Sequence, residues 1–211
     1  MGIVKPKTLT LSSMVYRILH PIAHLLSILV FRLKVVGVEN VPKDEGAIVC
    51  ANHSSYLDPV ILGIALPREA YHMAKDGLFK NPLFARIITL LNAFPIKREG
   101  FSRQAFKRVM DLLKKGELVI IYPEGTRSPD GEIRRPRLGV GMIVSLAMDV
   151  LVVPARIIGT HRALPVGGLM IRPWRIEVRF GRPIHFKAPS NPTREDYRSI
   201  AETIMSKIME L

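Results

Sequence analysis

The chain has 211 residues, 48% of them hydrophobic, with a single cysteine. That length supports one buried core, that composition excludes a disordered chain, and a lone thiol excludes an intrachain disulfide. The net charge of +13 and the pI near 10.2 speak of anionic partners rather than of fold. Nucleic acid, an anionic membrane surface, and phosphorylated or acidic-carrier substrates all fit.

Lys5 and Lys7 precede an apolar stretch from Leu11 to Leu33 with no convincing small-residue cleavage site after it. The stretch reaches the roughly 20 residues that span a bilayer, but Arg17, His20, Pro21 and His24 interrupt it. Charge near a helix centre costs about 2.5–3.5 kcal/mol on insertion, and Pro21 has no N–H for the preceding turn. The pattern predicts two helices meeting near His20–Pro21 and lying in a membrane interface. Residues 1–33 are thus expected to form an amphipathic, hydrophobic anchor, and residues 34–211 the domain behind it. A helical hairpin packed on the domain, or a single span, are the alternatives.

A strand and turn follow over 34–40, then a short apolar run from Ala47 to Ala51 that reads as a fully buried strand. Cys50 lies inside that run. A thiol there is packing rather than a nucleophile, in keeping with a reducing, cytosol-facing compartment. Pro59 opens a helical pattern ended by Pro67, and another helix is expected over 83–91 after Asn81–Pro82. Ala93–Ile96 reads as a short strand ending at Lys97–Arg98. Residues 102–115 make an amphipathic helix with Ala105, Phe106, Val109, Leu112 and Leu113 as its apolar stripe, stopped by Gly116. Leu118–Tyr122 is the strongest strand signal. Helix resumes over 138–147, strands are expected at 150–153 and 175–180, and a last helix starts near Thr193 with Asp196 completing a capping-box-like start. Strands alternating with helices define an α/β architecture.

Three places could carry chemistry. In Asn52-His53-Ser54-Ser55-Tyr56-Leu57-Asp58-Pro59 a histidine lies just past the end of a buried strand, where ligands of α/β sheets tend to bind. Asp58 follows across a short loop. With His53 before the turn and Asp58 at the helix entrance, the chain can fold back so that imidazole and carboxylate meet as base and orienter. Asp58 before Pro59 is equally a good helix cap. In Tyr122-Pro123-Glu124-Gly125-Thr126-Arg127-Ser128 a strand delivers a glycine turn whose N–H groups can cradle an anion and whose guanidinium can fork onto phosphate oxygens. It can also be an ordinary surface turn. Lys97–Arg98 is a basic pair at a strand end, a position that is often merely solvated.

Together these elements resemble the glycerolipid acyltransferase family that includes the lysophosphatidic acid acyltransferases. Asn52, His53 and Asp58 match its N-H-x-x-x-x-D motif, and Phe94-Pro95-Ile96-Lys97-Arg98 matches its second. Tyr122 through Ser128 match F-P-E-G-T-R-S with tyrosine for phenylalanine, and Val152-Val153-Pro154 match the fourth. Ala93 stands where the family often has glycine, Arg137 where it often has lysine, and Ala155 where it has a larger residue. These departures bear on acyl-chain and acceptor preference.

The resemblance implies a glycerol-3-phosphate acyltransferase-like fold, a mixed central β-sheet flanked by helices. It implies His53 as general base and Asp58 as its partner, with direct attack of an acceptor hydroxyl on an acyl thioester. Lys97, Arg98, Glu124, Gly125, Thr126 and Arg127 would hold the acceptor, and above all its phosphate. The expected acceptor is lysophosphatidic acid at its sn-2 hydroxyl, another lysophospholipid or glycerol-3-phosphate being the alternative. The donor would be acyl carrier protein or coenzyme A thioester, with no further cofactor and no metal. The expected setting is monotopic, on the cytoplasmic face of an anionic membrane, a bacterial inner membrane. A backbone N–H near His53 is the expected oxyanion donor. A nucleic-acid module is disfavoured because aromatics are only 7% and no reading helix or stacking platform appears. A catalytically silent membrane protein is disfavoured by intact His53, Asp58, Glu124 and Arg127.

Overall fold

The computed structural model describes residues 11–96, 103–147, 149–187 and 191–211. Among the described residues eight strands share one sheet: β1 (Lys34–Val36), β2 (Ala47–Ala51), β3 (Ala70–Lys75), β4 (Ala93–Ile96), β5 (Leu118–Ile121), β6 (Leu151–Ile158), β7 (Glu177–Phe180) and β8 (Ile184–His185). Their order is β1-β7-β6-β2-β5-β3-β4, with β8 also paired to β6. From β4 to β6 all pairings are parallel. β7 and β8 lie antiparallel to β6, and β1 is parallel to β7. The expected mixed sheet flanked by helices is what forms.

β2 is buried at every position, as a parallel strand covered on both faces must be. Side-chain alternation splits its residues between two cores. Ala47, Val49 and Ala51 join Leu118, Ile120, Val153 and Ala155 under Ile61, Leu62 and Ala65 of α2 (Asp58–Ala65). Ile48 and Cys50 join Val119, Ile121 and Val152 on the opposite face. There they meet α4 (Arg103–Lys114), α5 (Leu138–Leu146) and α7 (Arg194–Met209) through Val109, Leu112, Ile143, Ile204 and Ile208. Gly141 lets α5 cross α7 closely: a Cβ there would lie 1.8 Å from the carbonyl oxygen of Tyr197. The expected capping box closes α7, with Thr193 and Asp196 exchanging bonds. Burial raises the thiol pKa of Cys50 far above its ordinary value.

The N-terminal segment departs from expectation. Instead of two helices meeting at His20–Pro21, α1 is one helix over Leu11–Phe31 with Pro21 inside it. Proline removes one intrahelical bond, yet a row at four-residue spacing continues across it. The Tyr16 and His20 rings lie 4.7 Å apart and the His20 and His24 rings 6.2 Å apart. His24 Nδ1 also reaches the carbonyl of Ile64 on α2 at 3.4 Å. Among the described residues no helix is long and apolar enough to cross a membrane.

β3, β8 and α6 (Thr160–Ala163) were not signalled by the sequence patterns. α3 (Pro82–Leu90) has no buried residue. Strand direction places the site: β2, β3, β4, β5 and β6 end at one common edge, where β7 and β1 begin. The loops after β2, β5 and β6 therefore meet there.

Candidate active site

Asn52 opens the site by prolonging β2 sideways. Its side-chain Nδ2 donates to the carbonyl of Ile157 at 2.9 Å, and its Oδ1 accepts from the N–H of the same residue at 2.7 Å. The amide thus stands in for one more rung of the β2–β6 ladder while the main chain leaves the sheet. His53 comes next, its backbone gripped at both ends. Its N–H donates to Glu124 Oε1 at 2.9 Å, and its carbonyl accepts from the N–H of Ser128 at 2.8 Å.

The loop then turns back so that Asp58 meets the imidazole. His53 Nδ1 and Asp58 Oδ2 are 2.8 Å apart, and the carboxylate is fully buried. The same oxygen accepts the N–H groups of Ser54 at 2.6 Å and Ser55 at 2.8 Å. The two backbone donors fix that oxygen where it can accept the ring N–H. Nδ1 is then the protonated ring nitrogen, and Nε2 is left as the acceptor. The ring is only 16% exposed and stacks on Tyr122, with centroids 4.1 Å apart and planes 18° apart. Asp58 is the first residue of α2, and its side chain points back into the loop rather than capping the helix.

The turn after β5 forms the neighbouring wall. Glu124 spans two segments, since its Oε2 also accepts the N–H of Arg134 at 3.2 Å. Burial raises its pKa, against the lowering effect of the two N–H donors. Gly125 has φ +67°, and a Cβ there would lie 2.7 Å from Cδ of Arg137. The turn therefore needs glycine both for its backbone and for the arginine lying across it. Arg127 stacks its guanidinium on Tyr56, with Cζ 3.4 Å from the ring centre. Its buried Nη1 has no partner among the described residues.

These segments coincide with a known sequence family. The family model named Acyltransferase matches residues 32–158. The chain belongs to the acyltransferase family. It is 30% identical to the 1-acyl-sn-glycerol-3-phosphate acyltransferase of Bacillus subtilis over 182 residues, covering 85% of this chain and 87% of that one. It is 32% identical to the chloroplastic 1-acyl-sn-glycerol-3-phosphate acyltransferase LPAT1 of Arabidopsis thaliana, covering 82% of this chain and 49% of the relative. Among solved structures, the 1-acyl-sn-glycerophosphate (LPA) acyltransferase PlsC of Thermotoga maritima superposes with a TM-score of 0.75 at 28% identity. That match covers 94% of this chain and 80% of that one.

In this acyltransferase His53, Asp58, Glu124, Gly125, Thr126 and Arg127 come together at one sheet edge. Lys97 and Arg98 lie outside the described residues. Both Glu124 oxygens accept backbone N–H groups, joining the loop of His53 to the segment of Arg134. The backbone N–H groups near His53, where an oxyanion donor is expected, are largely committed inside the protein. The N–H groups of His53, Ser54, Ser55, Leu57 and Asp58 all donate within the protein.

Residues not singled out for a role from sequence are Asn52 as the ladder clip, Tyr56 and Tyr122 as ring platforms, and Arg137 across Gly125. The asparagine was visible as a motif residue. The tyrosines carried no periodic signal, because each ring acts through a partner distant in sequence.

Proposed function

We propose that the protein transfers a fatty acyl group from an acyl thioester to the sn-2 hydroxyl of lysophosphatidic acid, giving phosphatidic acid in phospholipid biosynthesis. The observation that carries this is the 2.8 Å His53–Asp58 pair set beside the turn that holds Arg127. Nε2 of His53 takes the proton from the acceptor hydroxyl as its oxygen bonds to the thioester carbonyl carbon. The tetrahedral adduct collapses, the C–S bond breaks, and the imidazolium returns its proton to the leaving thiolate. Asp58 holds the ring in the required tautomer and offsets the charge that forms on it. A positioned base of this kind is worth about 10²–10⁴ in rate.

Arg127 is the group for the acceptor's phosphate. Its buried Nη1, without a partner among the described residues, and its ring-supported plane favour an anion with oxygens in fork geometry. Gly125, Thr126 and Arg137 complete the cationic turn, and Lys97 and Arg98 are assigned to the same phosphate. The donor is the thioester of acyl carrier protein or coenzyme A, both anionic partners for a chain of charge +13. The setting is the cytoplasmic face of an anionic membrane. The exposed apolar side chains of α1, such as Leu25 and Leu29, support surface attachment there.

The test is turnover of lysophosphatidic acid with an acyl thioester, comparing wild type with His53→Ala and Arg127→Ala. The first should lose about two to four decades in kcat. The second should raise the KM for lysophosphatidic acid but not for an acceptor lacking the phosphate monoester. Equal rates for wild type and His53→Ala would remove the proposed base.

A further inference from the structure

We infer that the loop between β6 and β7, residues 165–175, is a membrane-insertion element that docks the active site onto an anionic bilayer. This rests on the proposed membrane setting but not on the identity of the reaction.

The loop exposes what a soluble surface ordinarily hides. Leu169 is 99% exposed, Met170 76% and Ile171 56%, three consecutive apolar residues, with Val166 and Trp174 exposed beside them. Contiguous exposed apolar side chains of this kind mark an interaction site. Along the loop itself the charges are cationic only, with the Asp130–Glu132 turn meeting its base at His161. Residues 159–176 contain Arg162, Arg172 and Arg175 and no acidic residue. The Arg162 guanidinium lies 5.1 Å from the centre of the Trp174 ring. An apolar tip, a tryptophan at its shoulder and arginines behind them is the order of chemistries met on passing from acyl chains to headgroups. At the loop's base a cleft of about 380 Å³ is lined by His161, Arg162, Pro165, Arg172 and Trp174, a cationic setting for a lipid phosphate. A second copy of this chain fits less well, since a two-fold contact would set these arginines against their own counterparts.

The loop is also fixed to the catalytic machinery. Ser55 Oγ donates to the carbonyl of Leu164 at 2.7 Å, and Ser55 N–H is one of the donors to Asp58. The N–H of Arg172 returns to the carbonyl of Ala163 at 2.8 Å. The N–H of Ile176 reaches the carbonyl of Phe31 at the end of α1, 2.9 Å away. Loop base, α1 end and His53 loop therefore share one sheet edge. A tip lodged in the bilayer sets the depth at which His53 meets an amphiphilic acceptor.

Trp174 is the sole tryptophan, so native emission reports this loop alone. The experiment uses the full chain with vesicles of phosphatidylglycerol and phosphatidylcholine whose acyl chains carry bromine. A blue shift and quenching of Trp174 are expected, weaker on pure phosphatidylcholine. Leu169→Asp/Met170→Asp should weaken vesicle binding about tenfold while its lipid-free emission matches wild type. Leu169→Ser serves if the double variant does not fold. Protein that sediments with vesicles yet shows unquenched Trp174 overturns the inference, as does failure to bind vesicles at all. A blue shift that grows with protein concentration in the absence of lipid assigns the surface to self-association and also overturns it. Quenching without turnover of lysophosphatidic acid would sink the reaction and leave the loop assignment standing; turnover without quenching would do the reverse.

Discussion

Glu124→Gln separates two roles that a buried acid beside an arginine-bearing turn could play. The substitution keeps size and shape. The native carboxylate accepts from two segments, the His53 N–H at 2.9 Å and the Arg134 N–H at 3.2 Å. Glutamine retains one oxygen, so its NH₂ end must face one of those donors. A buried donor without a partner costs about 1–3 kcal/mol. Opposing this is relief from burying a charge, which is what raises the pKa of Glu124. The expected net loss is about 1–2 kcal/mol, a fall in Tm of about 2–8 °C for a chain of this length.

The pH dependence has a definite sign. With a folded pKa above the unfolded one, the folded state holds the extra proton between the two values. Glu124's contribution is therefore present at low pH and is lost as pH rises through the raised pKa. The stability gap between wild type and variant should narrow along that rise. Thermal unfolding at several pH values, paired with initial rates, measures both effects. A loosened His53 loop lowers kcat and leaves the acceptor KM nearly unchanged. An unchanged Tm together with a raised acceptor KM would refute the bracing role and put the carboxylate in contact with substrate.

Asp58→Asn should lower kcat/KM by about 10²–10⁴. The new amide can place its N–H against Nδ1 and so push the ring proton onto Nε2; full activity in steady-state assays would remove Asp58 as the orienter. Gly125→Ala combines a left-handed φ with a collision at Arg137. It should cost about 1–2 kcal/mol for the backbone alone and raise the acceptor KM. A Tm and a KM both equal to wild type would show that the turn relaxes without penalty.

How much could be read in advance depended on how local the cause was. β2 was legible because burial on both faces leaves an unbroken apolar run, and the α7 start because its cap is completed within four residues. The folding-back of Asp58 onto His53 was legible because five positions along one helix would set the two side chains on different faces. Pro21 misled because a helix can lose one bond where the Tyr16–His20–His24 row and the contact at Ile64 hold it. β3 was missed because Ala-Tyr-His-Met-Ala-Lys has neither alternation nor branched residues, and its strand character comes from its neighbours β5 and β4. The bracing bonds of Glu124 are not legible in spacing, because its two partners lie 71 and 10 positions away.

The Asn52 clip separates two things that usually change together. Because an amide completes the rung on β6, the sheet continues past the point where its own backbone departs. His53 thereby starts from a backbone position tied to two central strands, β2 and β6. The turn of Arg127 and the β6–β7 loop leave from other strand ends, so a change in either need not pass through the clip that holds the start of the His53 loop.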